Sequence, residues 1–79
     1  MPAEATRFIT TIYPNPTSGT FIIQAPVIIN SVIVTDVIGS TKLSLHPMTQ
    51  QATLNLSNYP KGMYIIKIND IYTEKIVRE

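Results

Sequence analysis

The chain contains neither cysteine nor tryptophan. Without cysteine there is no disulfide, no thiolate metal site and no cysteine nucleophile, so a fold this small must stand on apolar burial alone. An excess of one charge is also missing. Six basic residues against five acidic ones give a net charge of +1, and Lys and Arg occur singly along the chain. Nucleic-acid binders gather phosphates with a basic stripe, and none is present, so nucleic acid is not an expected partner. Long hydrophobic runs are absent too. The apolar stretch Pro26, Val27, Ile28, Ile29 is far short of the roughly 20 residues that span a bilayer, and no transmembrane segment is expected. Residues 1–6 lack the apolar core of a signal peptide.

The groups that enzymes need are equally scarce. The one histidine, His46, stands beside Pro47 in a turn context with no partner nearby in sequence. A general base needs both a partner and a pocket. The five carboxylates are Glu4, Asp36, Asp70, Glu74 and Glu79. Asp36 and Asp70 sit at turns, where side-chain capping accounts for them, and no calcium loop or glycosidase-type pair is formed. No Gly-x-Ser-x-Gly elbow and no glycine-rich phosphate loop occurs. No catalytic residue, cofactor or metal ligand is expected.

What is present is a β pattern. Ile, Val, Thr and Tyr recur in short runs broken by Pro, Gly, Asn and Asp, as in a sandwich or barrel. Seven strands are expected, at residues 8–13, 20–24, 31–37, 41–45, 52–56, 63–68 and 71–77. Pro26 ends the second strand or marks an edge. Asp36 and Gly39 frame a turn. Residues 59–62 suit a type I turn, and Asn69-Asp70 a two-residue hairpin. No segment carries helical periodicity. Seven short strands in 79 residues fit an all-β, immunoglobulin-like sandwich. Alternation places Phe21, Ile23, Val32, Val34, Tyr64 and Ile66 inside, and turns Ile22, Ile33 and Ile65 outward.

Three stretches carry a resemblance. They are Tyr13-Pro14-Asn15-Pro16-Thr17-Ser18-Gly19, then Asp36-Val37-Ile38-Gly39, then Pro60-Lys61-Gly62-Met63-Tyr64, with Lys75 ahead of an apolar pair near the C-terminus. In this order and spacing the chain resembles the type A C-terminal sorting domain of the type IX secretion system of Bacteroidetes bacteria. The resemblance covers residues 8–79, leaving 1–7 as a linker remnant. Tyr13, Pro14, Asn15, Pro16, Gly19, Asp36, Gly39, Pro60, Gly62, Tyr64 and Lys75 match the family's motifs and are the recognition candidates. Ser40 and Tyr59 depart from the residues common at their positions.

The resemblance implies a seven-strand immunoglobulin-like sandwich and a non-catalytic role as an export signal. Its partners would be a covalently fused N-terminal cargo, shuttle proteins, the outer-membrane translocon, and a sortase-like peptidase that removes the domain. It would pass through the periplasm to the cell surface or beyond. The alternative is a generic immunoglobulin-like module binding carbohydrate or protein, for which an exposed row of aromatics would be the signature. Open sheet edges add two expectations: strand addition by a partner at the first or last strand, and weak homodimerisation of the chain.

Overall fold

A computed structural model describes residues 10–79. Among these are seven strands and no helix: β1 (Thr11–Tyr13), β2 (Thr20–Ile29), β3 (Val32–Asp36), β4 (Thr41–Leu45), β5 (Thr49–Asn55), β6 (Gly62–Ile68) and β7 (Tyr72–Arg78). They form two antiparallel sheets, ordered β1-β2-β5 and β4-β3-β6-β7. The fold is therefore an all-β sandwich of immunoglobulin-like connectivity. In the constant-type immunoglobulin arrangement the fourth strand pairs with the fifth. Here β4 stays beside β3, because the turn between them is tight: the Asp36 amide donates to the Ser40 carbonyl at 3.0 Å and the Gly39 amide to the Asp36 carbonyl at 3.1 Å.

The core forms between the two inner faces. Phe21, Ile23 and Ile29 from β2, with Leu54 from β5 and Leu56 just beyond it, meet Val32 and Val34 from β3, Tyr64, Ile66 and Ile68 from β6, and Ile76 from β7. Alternate residues of a strand face opposite ways, and all six positions expected inside are buried. Ile22, Ile33 and Ile65 lie on the outer faces and are half-buried, because their cross-strand neighbours cover them. They do not make one patch, since Ile22 belongs to the three-stranded sheet and the other two to the four-stranded one.

Several boundaries differ from the sequence pattern. Pro26 does not end β2. The strand continues to Ile29 through a register shift after Gln24, and the Pro26 carbonyl accepts from Gln50 Nε2 at 2.8 Å. A proline lacks only its own donor, so the strand absorbs it where ladder pairing already lapses. β5 begins at Thr49, ahead of the expected 52, because polar Gln50 and Gln51 are tolerated on an exposed strand. The expected first strand from residue 8 is described only from residue 10. The turn after β5 spans Leu56 to Tyr59, closed by the Tyr59 amide on the Leu56 carbonyl at 2.9 Å, rather than residues 59–62. Between β6 and β7, Asn69 and Asp70 both have positive φ, at 55° and 60°, as a type I′ turn requires. The Ile71 amide closes the turn on the Ile68 carbonyl at 3.1 Å, and the ladder pairs Ile68 with Tyr72, so β7 starts at Tyr72.

Candidate recognition site

The motif residues lie far apart in sequence, and the fold carries most of them to one end of the sandwich. The β1–β2 turn, the end of β3, the end of β5, the start of β6 and the end of β7 all meet there. Register fixes this: Asp36 is opposite Tyr64, Gly62 opposite Arg78, and Thr20 opposite Asn55. The other end holds the β6–β7 turn, where Asn69 Oδ1 accepts from the Asn30 and Ser31 amides and Asn69 Nδ2 donates to the Ile28 carbonyl. Thr10 approaches the same end, its carbonyl 3.5 Å from the Tyr72 hydroxyl. The chain therefore enters the described fold away from its motifs.

The first motif is bound to the last strand. Asn15 uses both ends of its amide as a stand-in for a paired strand: Nδ2 donates to the Lys75 carbonyl at 3.0 Å, and Oδ1 accepts from the Val77 amide at 3.1 Å. The Thr17 amide then donates to the Val77 carbonyl at 2.8 Å, and the Glu79 amide to the Thr17 carbonyl at 2.7 Å. Residues 15–17 thus cover the outer edge of β7 from Lys75 to the C-terminus. The expectation of strand addition at the last strand fails over this stretch, because the chain occupies its own edge. The peptide bonds before Pro14 and Pro16 are both cis.

Two residues that sequence reasoning passed over hold this end together. Thr17 is buried, its hydroxyl donating to the Thr20 carbonyl at 2.6 Å and accepting from the Gly19 amide at 3.0 Å. Arg78 reaches the Leu56 carbonyl through Nε at 3.3 Å and the Ser57 carbonyl through Nη2 at 3.1 Å. A threonine inside a proline-rich turn and a penultimate arginine look solvated in sequence; only the contact across the two sheets gives them work. Gly19, at φ +151°, sits so close to Ser57 that a Cβ there would lie 3.0 Å from the Ser57 Cβ.

In the second motif Asp36 Oδ1 accepts from the Ile38 amide at 3.1 Å and the Ser40 amide at 2.9 Å, while Oδ2 lies 3.6 Å from Lys42 Nζ. The Ser40 bond foremost, with the Ile38 bond and the lysine charge, holds the Asp36 carboxyl below its ordinary value of 3.8. Gly39 takes φ +94° in open space. In the third motif the Tyr64 hydroxyl donates to the Pro60 carbonyl, a tyrosine corner of the kind seen at the start of the sixth strand in immunoglobulin-like domains. This accounts for Pro60, Gly62 and Tyr64 as a structural set. Tyr59 fits its site by donating its hydroxyl to the Lys42 carbonyl at 3.0 Å. The Lys75 side chain is exposed on the outer face of the four-stranded sheet.

A shallow groove runs between Asp36, Lys42, Pro60, Lys61 and Met63, and its carboxylate is engaged by the Ile38 and Ser40 amides and by Lys42. A second hollow, at the other end, is lined largely by Ala25, Val27, Ile68, Ile71 and Tyr72. His46 is exposed, with Nδ1 3.1 Å from the Asn30 carbonyl. Among the described residues no group of acidic or histidine side chains is placed to hold a metal.

The fold is an immunoglobulin-like sandwich with its motif-bearing turns gathered at one end. The chain belongs to the secretion system C-terminal sorting domain family, whose model matches residues 11–79. Nothing among curated proteins or solved structures matches it. Domains of this family are the C-terminal sorting signals of type IX secretion. The family is one of export signals and not of enzymes, and its role entails fusion to an N-terminal cargo, engagement by the type IX system, and delivery to the cell surface or the extracellular space.

Proposed function

We propose that the type IX apparatus reads this domain at the motif-bearing end, while residues 8–79 act as one sorting unit behind a short linker at 1–7. The observation that carries this is the convergence of motifs from residues 13–19, 36–39 and 60–64 with the C-terminal strand at one end, opposite the end where the chain enters. A cargo attached upstream leaves that end clear. Most motif residues act by shaping it. Asn15 and Gly19 lock the turn against β7 and Ser57, Asp36 and Gly39 set the β3–β4 turn, and Pro60, Gly62 and Tyr64 set the corner before β6. Exposed Tyr13, Ile38, Lys61 and Lys75 offer side chains for a shuttle protein or the translocon to touch. Recognition follows passage into the periplasm, and a sortase-like peptidase then cuts upstream of the folded sandwich. The binding-module alternative lacks its signature: among the described residues Tyr13 is the exposed aromatic ring, and one ring does not make a sugar-stacking row.

The test uses matched probes. Ile38, at the motif end, and Ile71, at the other, are each 84% exposed. A fluorescent reporter carrying residues 8–79 should be exported by a bacterium with a working type IX system and retained by its translocon-null strain. Ile38→Asp should abolish export and Ile71→Asp should leave it intact, both variants keeping the unfolding temperature of the native domain. Equal export of the two, or loss with Ile71→Asp alone, overturns the assignment of the reading surface.

A further inference from the structure

The four edge strands of this sandwich are not equally protected. β1 is three residues long and runs directly into Pro14 and Pro16. β7 is covered over its C-terminal half by Asn15 and Thr17 and carries Lys75. β4 carries Lys42 at a register shift opposite Val34 and Thr35. Shortness, proline, charge, irregular register and covering by another segment are the devices by which natural sheets block edge-to-edge pairing. β5 has only one of them, the register shift against β2 between Gln51 and Thr49, and from Gln51 to Asn55 its pairing is regular. Its sequence, Thr49 to Asn55, is Thr-Gln-Gln-Ala-Thr-Leu-Asn, without charge, proline or glycine, and among the described residues nothing pairs with its outer side.

The direction of its free groups follows from the ladder. The Leu56 amide donates across to the Gly19 carbonyl at 2.8 Å, so Leu56 bonds toward β2. Antiparallel pairing alternates, so Leu54 and Ala52 also bond inward while the amides and carbonyls of Gln51, Thr53 and Asn55 point outward. The Gln51 carbonyl accepts from Thr49 Oγ1 at 2.6 Å and retains a second lone pair.

We propose that β5 pairs with β5 of a second copy of this chain, antiparallel about a two-fold axis through Thr53, joining two three-stranded sheets into one of six. In that register Thr53 faces its own counterpart and Gln51 faces Asn55, each in a hydrogen-bonded pair, giving about six main-chain bonds. A second copy is the fitting occupant because the edge complements itself. A two-fold sets each residue against its mirror position, and only a neutral strand can meet itself without like charges in opposition. A threonine pair at the centre and amides on either side have hydrogen-bonding partners in this arrangement. The same operation on β7 would set Lys75 against Lys75. The contact is small, so association is weak. The inference rests on the edges alone and is independent of which end the secretion apparatus reads.

Light scattering of the 79-residue chain from about 10 μM to about 1 mM should show the mass rising from 8.8 kDa toward twice that value. Thr53→Lys should remain monomeric throughout, and Thr11→Lys, at the other edge of the same sheet, should behave as the native chain. The chain has no cysteine, so Thr53→Cys provides a second readout. Facing Cα atoms in a hydrogen-bonded pair lie about 5.5 Å apart, within disulfide reach, and this variant should cross-link under mild oxidation at least ten-fold faster than Thr11→Cys. A native chain monomeric at every concentration, a dimer surviving Thr53→Lys, or equal cross-linking of the two cysteine variants overturns the proposal.

Discussion

Replacing Thr17 by valine tests how the first motif is anchored. Valine keeps the shape of threonine and removes only the hydroxyl. That hydroxyl is 1% exposed with its residue and makes two bonds, at 2.6 Å to the Thr20 carbonyl and 3.0 Å from the Gly19 amide. Neither water nor another side chain can replace it at such a buried position, and a buried polar group left unpaired costs about 1–3 kcal/mol. The Gly19 amide is left buried and the Thr20 carbonyl part-buried, so the full cost of the first and a smaller cost of the second make the expected loss roughly 2–4 kcal/mol. A domain of this length has a total stability of roughly 4–12 kcal/mol, so the substitution removes a large share of it. At about 4–8 °C per kcal/mol for a domain of this size, the midpoint falls by roughly 8–32 °C. Urea unfolding followed by far-UV circular dichroism measures it, with the slope against denaturant unchanged. Thr17→Ser, which keeps the hydroxyl and loses a methyl, should cost only about 1 kcal/mol. If Thr17→Val unfolds within about 0.5 kcal/mol of the native chain, Thr17 does not hold the turn and the anchoring argument is wrong.

Tyr64→Phe leaves the ring in the core and deprives the Pro60 carbonyl of its donor; a loss of about 1–2 kcal/mol in denaturant unfolding is expected. Gly19→Ala and Gly62→Ala separate two costs. Both glycines have positive φ, but a Cβ at position 19 meets Ser57 at 3.0 Å while one at 62 meets nothing within 4 Å. Gly62→Ala should therefore cost about 1 kcal/mol from backbone strain, and Gly19→Ala about 1–3 kcal/mol more from overpacking. Asp36 titrates below its unfolded value of 3.8 because backbone amides and Lys42 favour the carboxylate. Its contribution is present above that value and lost as pH falls through the lowered one, so Asp36→Asn should flatten the fall in melting temperature below about pH 4. Tyr72 shows the opposite displacement. Desolvation first, and then the Glu74 carboxylate 2.9 Å away, raise its hydroxyl above 10.0. The neutral form is the one the fold favours, so stability is lost as pH climbs through the raised value, and Tyr72→Phe should soften that alkaline limb in the same melting series.

The sequence by itself determined the fold class and the inner face of nearly every strand, because period-two alternation and turn residues are local signals that do not depend on what lies across the core. Phe21, Val34, Tyr64 and Ile66 are buried where alternation puts them, and Asn69-Asp70 turns as its residue types require. The motifs were legible for the same reason, since proline, glycine and aspartate act within a few residues of themselves. Only the tertiary structure decided where those turns meet. Asn15 reaches Lys75 and Val77 across 60 and 62 positions of chain, Arg78 reaches Leu56 across 22, and Thr17 is buried solely because β7 and the loop after β5 close over it. Which edge stays open was likewise invisible: β5 and β7 both read as short strands, and β7 is covered by a turn 60 to 62 residues upstream while, among the described residues, nothing pairs with the outer side of β5. Side-chain pattern is written one residue at a time, whereas an edge is open or closed according to which distant backbone happens to supply its hydrogen bonds.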